Sequence, residues 1–255
     1  MRLLRSRFTL CIFILLFAHK GTAFPFSPIV RSSLGEAFLV LKNNPSTPIL
    51  LEENQTIDAT LPYSAVTPVD SYLEIESPSS ETFSGFSLRL GQSSGIEIRK
   101  PTSFYIFKGT FLVADKSTRQ WMFESNSSVI QINGSGTFMI ETTPLGFKLI
   151  ILEGLYSLPE SQMTNSSLTS GDLILISGPS GKVSQSMQVE LPLILNSSRL
   201  VNYFPNKLST HSRLISAAQV QALRMKSKYN AFIGGVSEDR QLRIWKVPSS
   251  EKGDK

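Results

Sequence analysis

Glu74 and Glu76 are the first residues whose type and spacing could do chemistry. In the alternating stretch Ser71–Glu76 they share one side of a strand with Tyr72, about 7 Å apart. Two carboxylates so placed could divide acid and base work on a glycosidic bond. Charged residues on the solvent face of a strand give the same pattern, and nothing else in the sequence converges on this pair. Glu153, in Leu-Glu-Gly, reads as a turn or solvent residue. His211 is the one histidine after His19, so a Ser-His triad would have to use it. No Gly-x-Ser-x-Gly elbow accompanies it. Gly134-Ser135-Gly136 is too tight for one and reads as a turn, and His211 itself falls at a helix start. With a single cysteine, Cys11, and so few histidines, the common zinc ligand sets are excluded. Gly178-Pro179-Ser180-Gly181-Lys182 has the wrong spacing for a phosphate loop and reads as a hairpin turn. The remaining candidates are basic: Arg224, Lys226, Lys228 and Arg243, with Trp245, form a contact patch near the C-terminus. No cofactor is implied.

The elements that must position these residues follow from charge and pattern. Arg2, Arg5 and Arg7 precede an apolar run, Phe8–Ala18, and Gly21-Thr22-Ala23 offers small residues for cleavage, so residues 1–23 read as a secretory signal peptide. Cys11 falls within this run, so the exported chain would carry no disulfide. The formal charge is +5, but residues 24–198 hold 10 basic and 16 acidic residues while 199–255 hold 11 and 4. An acidic body with a basic tail implies either internal complementarity or an anionic partner. Export disfavours nucleic acid.

Residues 24–190 read as a β domain. Phe24–Arg31 is a loose lead-in, Gly35–Leu41 a first strand ended by Pro45 and Pro48, and Glu52–Val69 a loop region. Strands of three to six residues follow at Ser71–Glu76, Phe86–Leu90, Ile96–Ile98, Phe104–Phe107, Thr110–Val113, Gln120–Phe123 and Val129–Ile132. Thr137–Glu141 and Phe147–Leu152 are joined by a Thr-Pro-Leu-Gly turn, and Leu173–Ile176 comes after them. Short strands punctuated by glycine predict an all-β, solenoid-like stack, with a β-sandwich as its rival. Residues 191–255 form a basic extension. Ser209 or Thr210 caps a helix running to about Lys228, with Leu214, Ala218, Gln221 or Ala222, and Met225 at helical spacing and Ile215 and Leu223 widening the stripe. Ala231–Val236 and Gln241–Val247 then predict a hairpin around Ser237–Arg240.

The motifs Leu90-Gly91-Gln92-Ser93-Ser94-Gly95-Ile96-Glu97-Ile98, Phe107-Lys108-Gly109-Thr110-Phe111-Leu112-Val113, Gly134-Ser135-Gly136-Thr137-Phe138-Met139-Ile140 and Leu152-Glu153-Gly154-Leu155-Tyr156-Ser157-Leu158 carry a resemblance, joined by Leu168–Leu173. Over roughly residues 33–186 the chain resembles the FecR-like domain, the β-rich extracytoplasmic module of envelope regulators. The resemblance implies a β-solenoid platform outside the inner membrane. The chain opens on its export signal, without the cytoplasmic helical segment that precedes the anchor in sigma-factor regulators, so a direct anti-sigma role is not expected. The expectation is a non-enzymatic binding or sensing module, periplasmic or secreted, with an envelope protein or polysaccharide as partner. The alternatives are a self-associating structural protein and a carbohydrate-active β-helix enzyme using Glu74 and Glu76.

Overall fold

The computed structural model describes residues 27–58, 61–79, 84–159 and 167–228, with side chains as far as Arg224. The signal-peptide expectation for 1–23 and the hairpin at 231–247 fall outside the described residues. No helix among the described residues is long and apolar enough to cross a membrane.

The protein is mostly β. The strands are β1 Ile29–Leu34, β2 Phe38–Leu41, β3 Asn44–Leu50, β4 Tyr63–Thr67, β5 Tyr72–Ser77, β6 Phe86–Leu90, β7 Ser94–Lys100 and β8 Ser103–Lys108. Three long strands come next: β9 Thr110–Glu124, β10 Val129–Thr143 and β11 Gly146–Ser157. Four short strands, β12 Ser167–Thr169, β13 Asp172–Ser177, β14 Lys182–Val183 and β15 Met187–Gln188, precede α1 Leu191–Ser197, α2 Arg199–Asn202 and α3 His211–Lys228. Hydrogen bonding runs in the order β14-β13-β11-β10-β9-β8-β7-β4-β2-β3, and a branch β6-β5-β1 leaves the first half of β9.

The sheet folds over on itself, and β9–β11 make the fold. Phe123 pairs with Ile130 across β9 and β10, whereas Phe138 pairs with Val113. Eight residues of straight strand separate positions 130 and 138, about 26 Å, yet the Phe123 and Phe138 rings are 5.7 Å apart. The strands must therefore bend sharply between them. Register shifts mark the place, between Gly134 and Gly136 and between Thr137 and Phe138. Gly136 and Gly154 face each other across this bend with φ of +133° and +105°, and a β-carbon on either would lie within about 2.1 Å of the other strand's carbonyl oxygen. Only glycine fits there. Between the two halves lies one core, in which Trp121 touches Phe86, Phe104 and Phe138.

Several expectations are corrected. Thr110–Val113 and Gln120–Phe123 belong to one 15-residue strand, and so do Val129–Ile132 and Thr137–Glu141. In β10 the intervening Gly134 and Gly136 bend the strand rather than end it. The ladders are antiparallel except β8 with β9, so the repeating unit is the hairpin and not a coil stacked on a coil. The supposed lead-in contributes β1 from Ile29, and the supposed loop region contributes β4. Pro45 and Pro48 lie inside β3, which proline tolerates because β3 ends the strand order and is exposed throughout.

The helices cover the outer face of one half of the sheet. A second apolar cluster joins Tyr72, Leu112, Ala114, Ile150 and Leu152 of the strands to residues of the helical segment, among them Leu191, Leu200, Phe204 and Leu214. Pro192 sits in the first turn of α1, where its missing N–H costs nothing. Leu214 and Ala218 of α3 are buried, as the helical spacing predicts.

Candidate functional site

The groups capable of chemistry meet beneath and beside the helices. Glu74 and Arg89 are directly paired positions on β5 and β6. Arg89 is fully buried and Glu74 only 3% exposed. The Arg89 Nε donates to Glu74 Oε1 at 3.0 Å. Its Nη1 donates to the carbonyls of Leu200 and Val201 at 2.9 and 3.2 Å, and its Nη2 to that of Asn206. The guanidinium also lies 4.4 Å from the Phe204 ring centroid. One side chain from the sheet thus satisfies the carbonyls left open at the end of α2 and in the turn beyond it. Burial pushes the Glu74 carboxyl up, a rise that Arg89 only partly offsets; burial also lowers Arg89.

The solvent-face reading of Glu74 is therefore wrong, because that face lies under the helices. Glu76, two residues on, is half-buried and paired with Arg31. The two carboxylates that share a face each hold a different arginine.

A second cluster forms where β9, β10 and β11 bend. Asp115 is fully buried; its carboxylate accepts from the Ser117 N–H at 2.9 Å and from Arg119 Nε at 2.5 Å. Glu153 is 7% exposed, and its Oε1 lies 3.0 Å from Arg213 Nε on α3. Thr137 and Thr210 share a hydrogen bond between their hydroxyls, so Thr210, expected as a cap, ties the start of α3 to β10. Burial raises both Asp115 and Glu153; Arg119 and Arg213 pull Asp115 back, and Arg213 pulls Glu153 back. Tyr156, buried beside these carboxylates, is raised well above the ordinary phenol range by burial first and by their charge second. Glu153, expected in a turn or in solvent, instead helps hold α3. His211 begins α3 and is half-buried.

Of the expected contact patch, Arg224 is exposed on α3. Lys226 and Lys228 lie in its last turn, and Arg243 and Trp245 fall outside the described residues. Arg89, Asp115 and Arg213 did not stand out in the sequence. A signal was nevertheless present: Phe111-Leu112-Val113-Ala114 and Leu149-Ile150-Ile151-Leu152 are apolar at every position, which marks strands covered on both faces. No group of three or more histidine, cysteine, aspartate or glutamate residues suited to a metal ion occurs among the described residues.

The outer side of the helical layer is different. A groove of about 230 Å³ runs between α1 and α3, lined by Pro192, Leu195 and Asn196 on one side and Ile215, Ala218 and Ala222 on the other, with Gln219. Leu193, Val220 and Leu223 are exposed on the same two helices, Leu223 by 69%. The start of α1 is tied to α3 by the Gln221 side chain, which accepts from the Leu191 N–H and donates to the Val189 carbonyl.

The sequence matches no model of a known protein family, and no curated protein matches it.

Proposed function

We propose that the chain is an exported, non-enzymatic binding module of the cell envelope, periplasmic or secreted, that presents its helical layer to a protein partner. The observation that carries this reading is the division of α3. One stripe, Leu214 and Ala218, is buried on the sheet; another, with Ile215 and Leu223, leaves large apolar side chains in solvent beside an apolar groove. The groove leads to the basic end of the helix at Arg224, Lys226 and Lys228. The buried carboxylates Glu74, Asp115 and Glu153 each face a guanidinium at the joint of sheet and helices. That use is architectural and supports a role other than catalysis. The resemblance to FecR-like modules adds to the reading an envelope setting and a role in sensing.

The test is crosslinking in the cell envelope, comparing the wild type with Ile215→Asp/Leu223→Asp and with Arg224→Glu/Lys226→Glu/Lys228→Glu. Both residues of the first variant are exposed, so the body should stay folded. A specific crosslinked partner, lost in these variants, is expected; an unchanged crosslink pattern would sink the assignment, and capture of polysaccharide alone would replace its partner class.

A second reading, structural self-association, has its own observation. Strand β3 ends the sheet with all seven residues exposed, including Ile49 and Leu50. It predicts a mass that grows with concentration and falls in Leu50→Lys.

A further inference from the structure

Arg31, Arg89, Arg99, Arg119 and Arg213 each lie within ion-pair distance of a glutamate or an aspartate. Arg199, the exposed first residue of α2, is placed differently. Its Nη1 donates at 3.1 Å to the phenol oxygen of Tyr72 on β5. Among the described residues no carboxylate forms an ion pair with it. A guanidinium carries several donors in a planar fork, and a neutral phenol answers neither its charge nor most of those donors.

Both groups line one pocket at the seam of sheet and helices. It encloses about 190 Å³, takes apolar surface from Met139 and Leu200, and has no acidic side chain in its lining. Tyr72 is held in place beforehand: its ring meets those of Tyr203 and Phe204 edge-on, with centroids 5.2 and 6.3 Å apart. A ligand therefore bears little of the cost of ordering it. Because the phenol oxygen accepts from Arg199, its own hydrogen remains to be given. An O–H and a guanidinium so close together suit the two oxygens of one carboxylate. The size restricts the rest of the ligand, since pockets for drug-sized molecules hold roughly 300–1,000 Å³.

We propose that this pocket binds a carboxylate carried on a short apolar group, with Arg199 and Tyr72 holding the carboxylate and Met139 and Leu200 receiving the apolar end. The site is separate from the α1–α3 groove and does not depend on the reading of that groove as a contact surface. It bears on the attachment of the helices all the same. Leu200, whose carbonyl accepts from Arg89, is part of the pocket wall, so an occupant presses on the segment that Arg89 fastens.

The test is a titration of the isotope-labelled full chain with isocaproate at fixed pH and ionic strength, followed through backbone amide shifts. Saturable shifts centred on Met139 and on Ser198, Arg199 and Leu200 are expected. Isocaproamide, which lacks the charge, and inorganic phosphate, which lacks the apolar end, should each bind at least about tenfold more weakly. Arg199→Met keeps the stem of an exposed side chain, and Tyr72→Phe keeps the buried ring; each should weaken isocaproate by about tenfold or more with unchanged circular dichroism. Acetyl-Gly-Leu identifies the source of the carboxylate. Tighter binding than isocaproate assigns the site to the end of a peptide, and equal or weaker binding assigns it to a free acid. Shifts that fail to saturate or scatter over the surface overturn the proposal. So does phosphate bound as tightly as isocaproate, or an affinity unchanged in Arg199→Met.

Discussion

Replacing Arg89 by Met should be the most damaging single change among the ion pairs. The side chain has no exposed surface, and its partner Glu74 is 4% exposed at the side chain. Met keeps the apolar length of the stem, so the loss is that of the guanidinium. That leaves Glu74 with a buried charge, and breaking such a pair from one side costs about 3–5 kcal/mol. The carbonyls of Leu200, Val201 and Asn206 lose their donor as well. Whole-domain stability is about 5–15 kcal/mol, so Arg89→Met should bring the protein close to unfolding at room temperature. The assay is urea denaturation followed by both tryptophan fluorescence and far-ultraviolet circular dichroism. Glu74→Gln/Arg89→Met removes the stranded charge and should recover part of the loss, with about 1–3 kcal/mol remaining for the unserved carbonyls. A single variant that costs less than about 1 kcal/mol, or a double variant no better than the single, would refute the idea that this pair fastens the helices to the sheet.

Three further outcomes follow from the same geometry. The carboxyls of Glu74, Asp115 and Glu153 are all raised in the folded state, each mainly by burial. Their contribution to stability is fully present below the unfolded carboxylate range near pH 4 and is lost as pH rises through the raised values. The urea midpoint should therefore increase on acidification from pH 7.5 toward 4.5, with a shallower slope in Glu153→Gln; a midpoint that falls steadily would contradict the assignment. Gly136→Ala and Gly154→Ala each force a β-carbon onto a carbonyl at a positive φ and should each lose at least about 1–3 kcal/mol, read from thermal denaturation. Thr210→Val breaks the hydroxyl contact with Thr137 and should cost about 1 kcal/mol, with faster amide exchange in the first turn of α3 as its local signature.

The places of the strands were legible, and their lengths were not. The apolar alternation at Leu88 and Leu90, Ile96 and Ile98, and Ile130 and Ile132 marks inward positions that are buried in the fold. A glycine, however, reads the same in a turn as in a bend. Gly109 follows a strand end, whereas Gly134 and Gly136 lie inside β10, and only the partner strand decides between the two. The helix at His211–Lys228 was legible in both position and buried stripe, because 3.6-residue spacing is local information. Arg89 was not. In Phe-Ser-Leu-Arg-Leu it stands opposite Leu88 and Leu90, the place of a solvent residue, and what buries it is a segment more than 100 residues later.

That distance explains why the carboxylates invited a catalytic reading. Two glutamates on one side of a strand define a spacing, but the work they do depends on what covers them. Here the cover is the helical layer, and arginines meet the carboxylates at each seam: Arg89 from the sheet toward α2, Arg213 from α3 toward the sheet. Of these pairs, Arg213–Glu153 joins the basic tail to the acidic body, so the two are partly complementary within the molecule. Arg224 lies on the exposed side of α3, the helix that also lines an apolar groove with α1. An amphipathic helix needs one apolar stripe to dock; α3 carries a second, and that surplus is the strongest reason to look for function on its outer face.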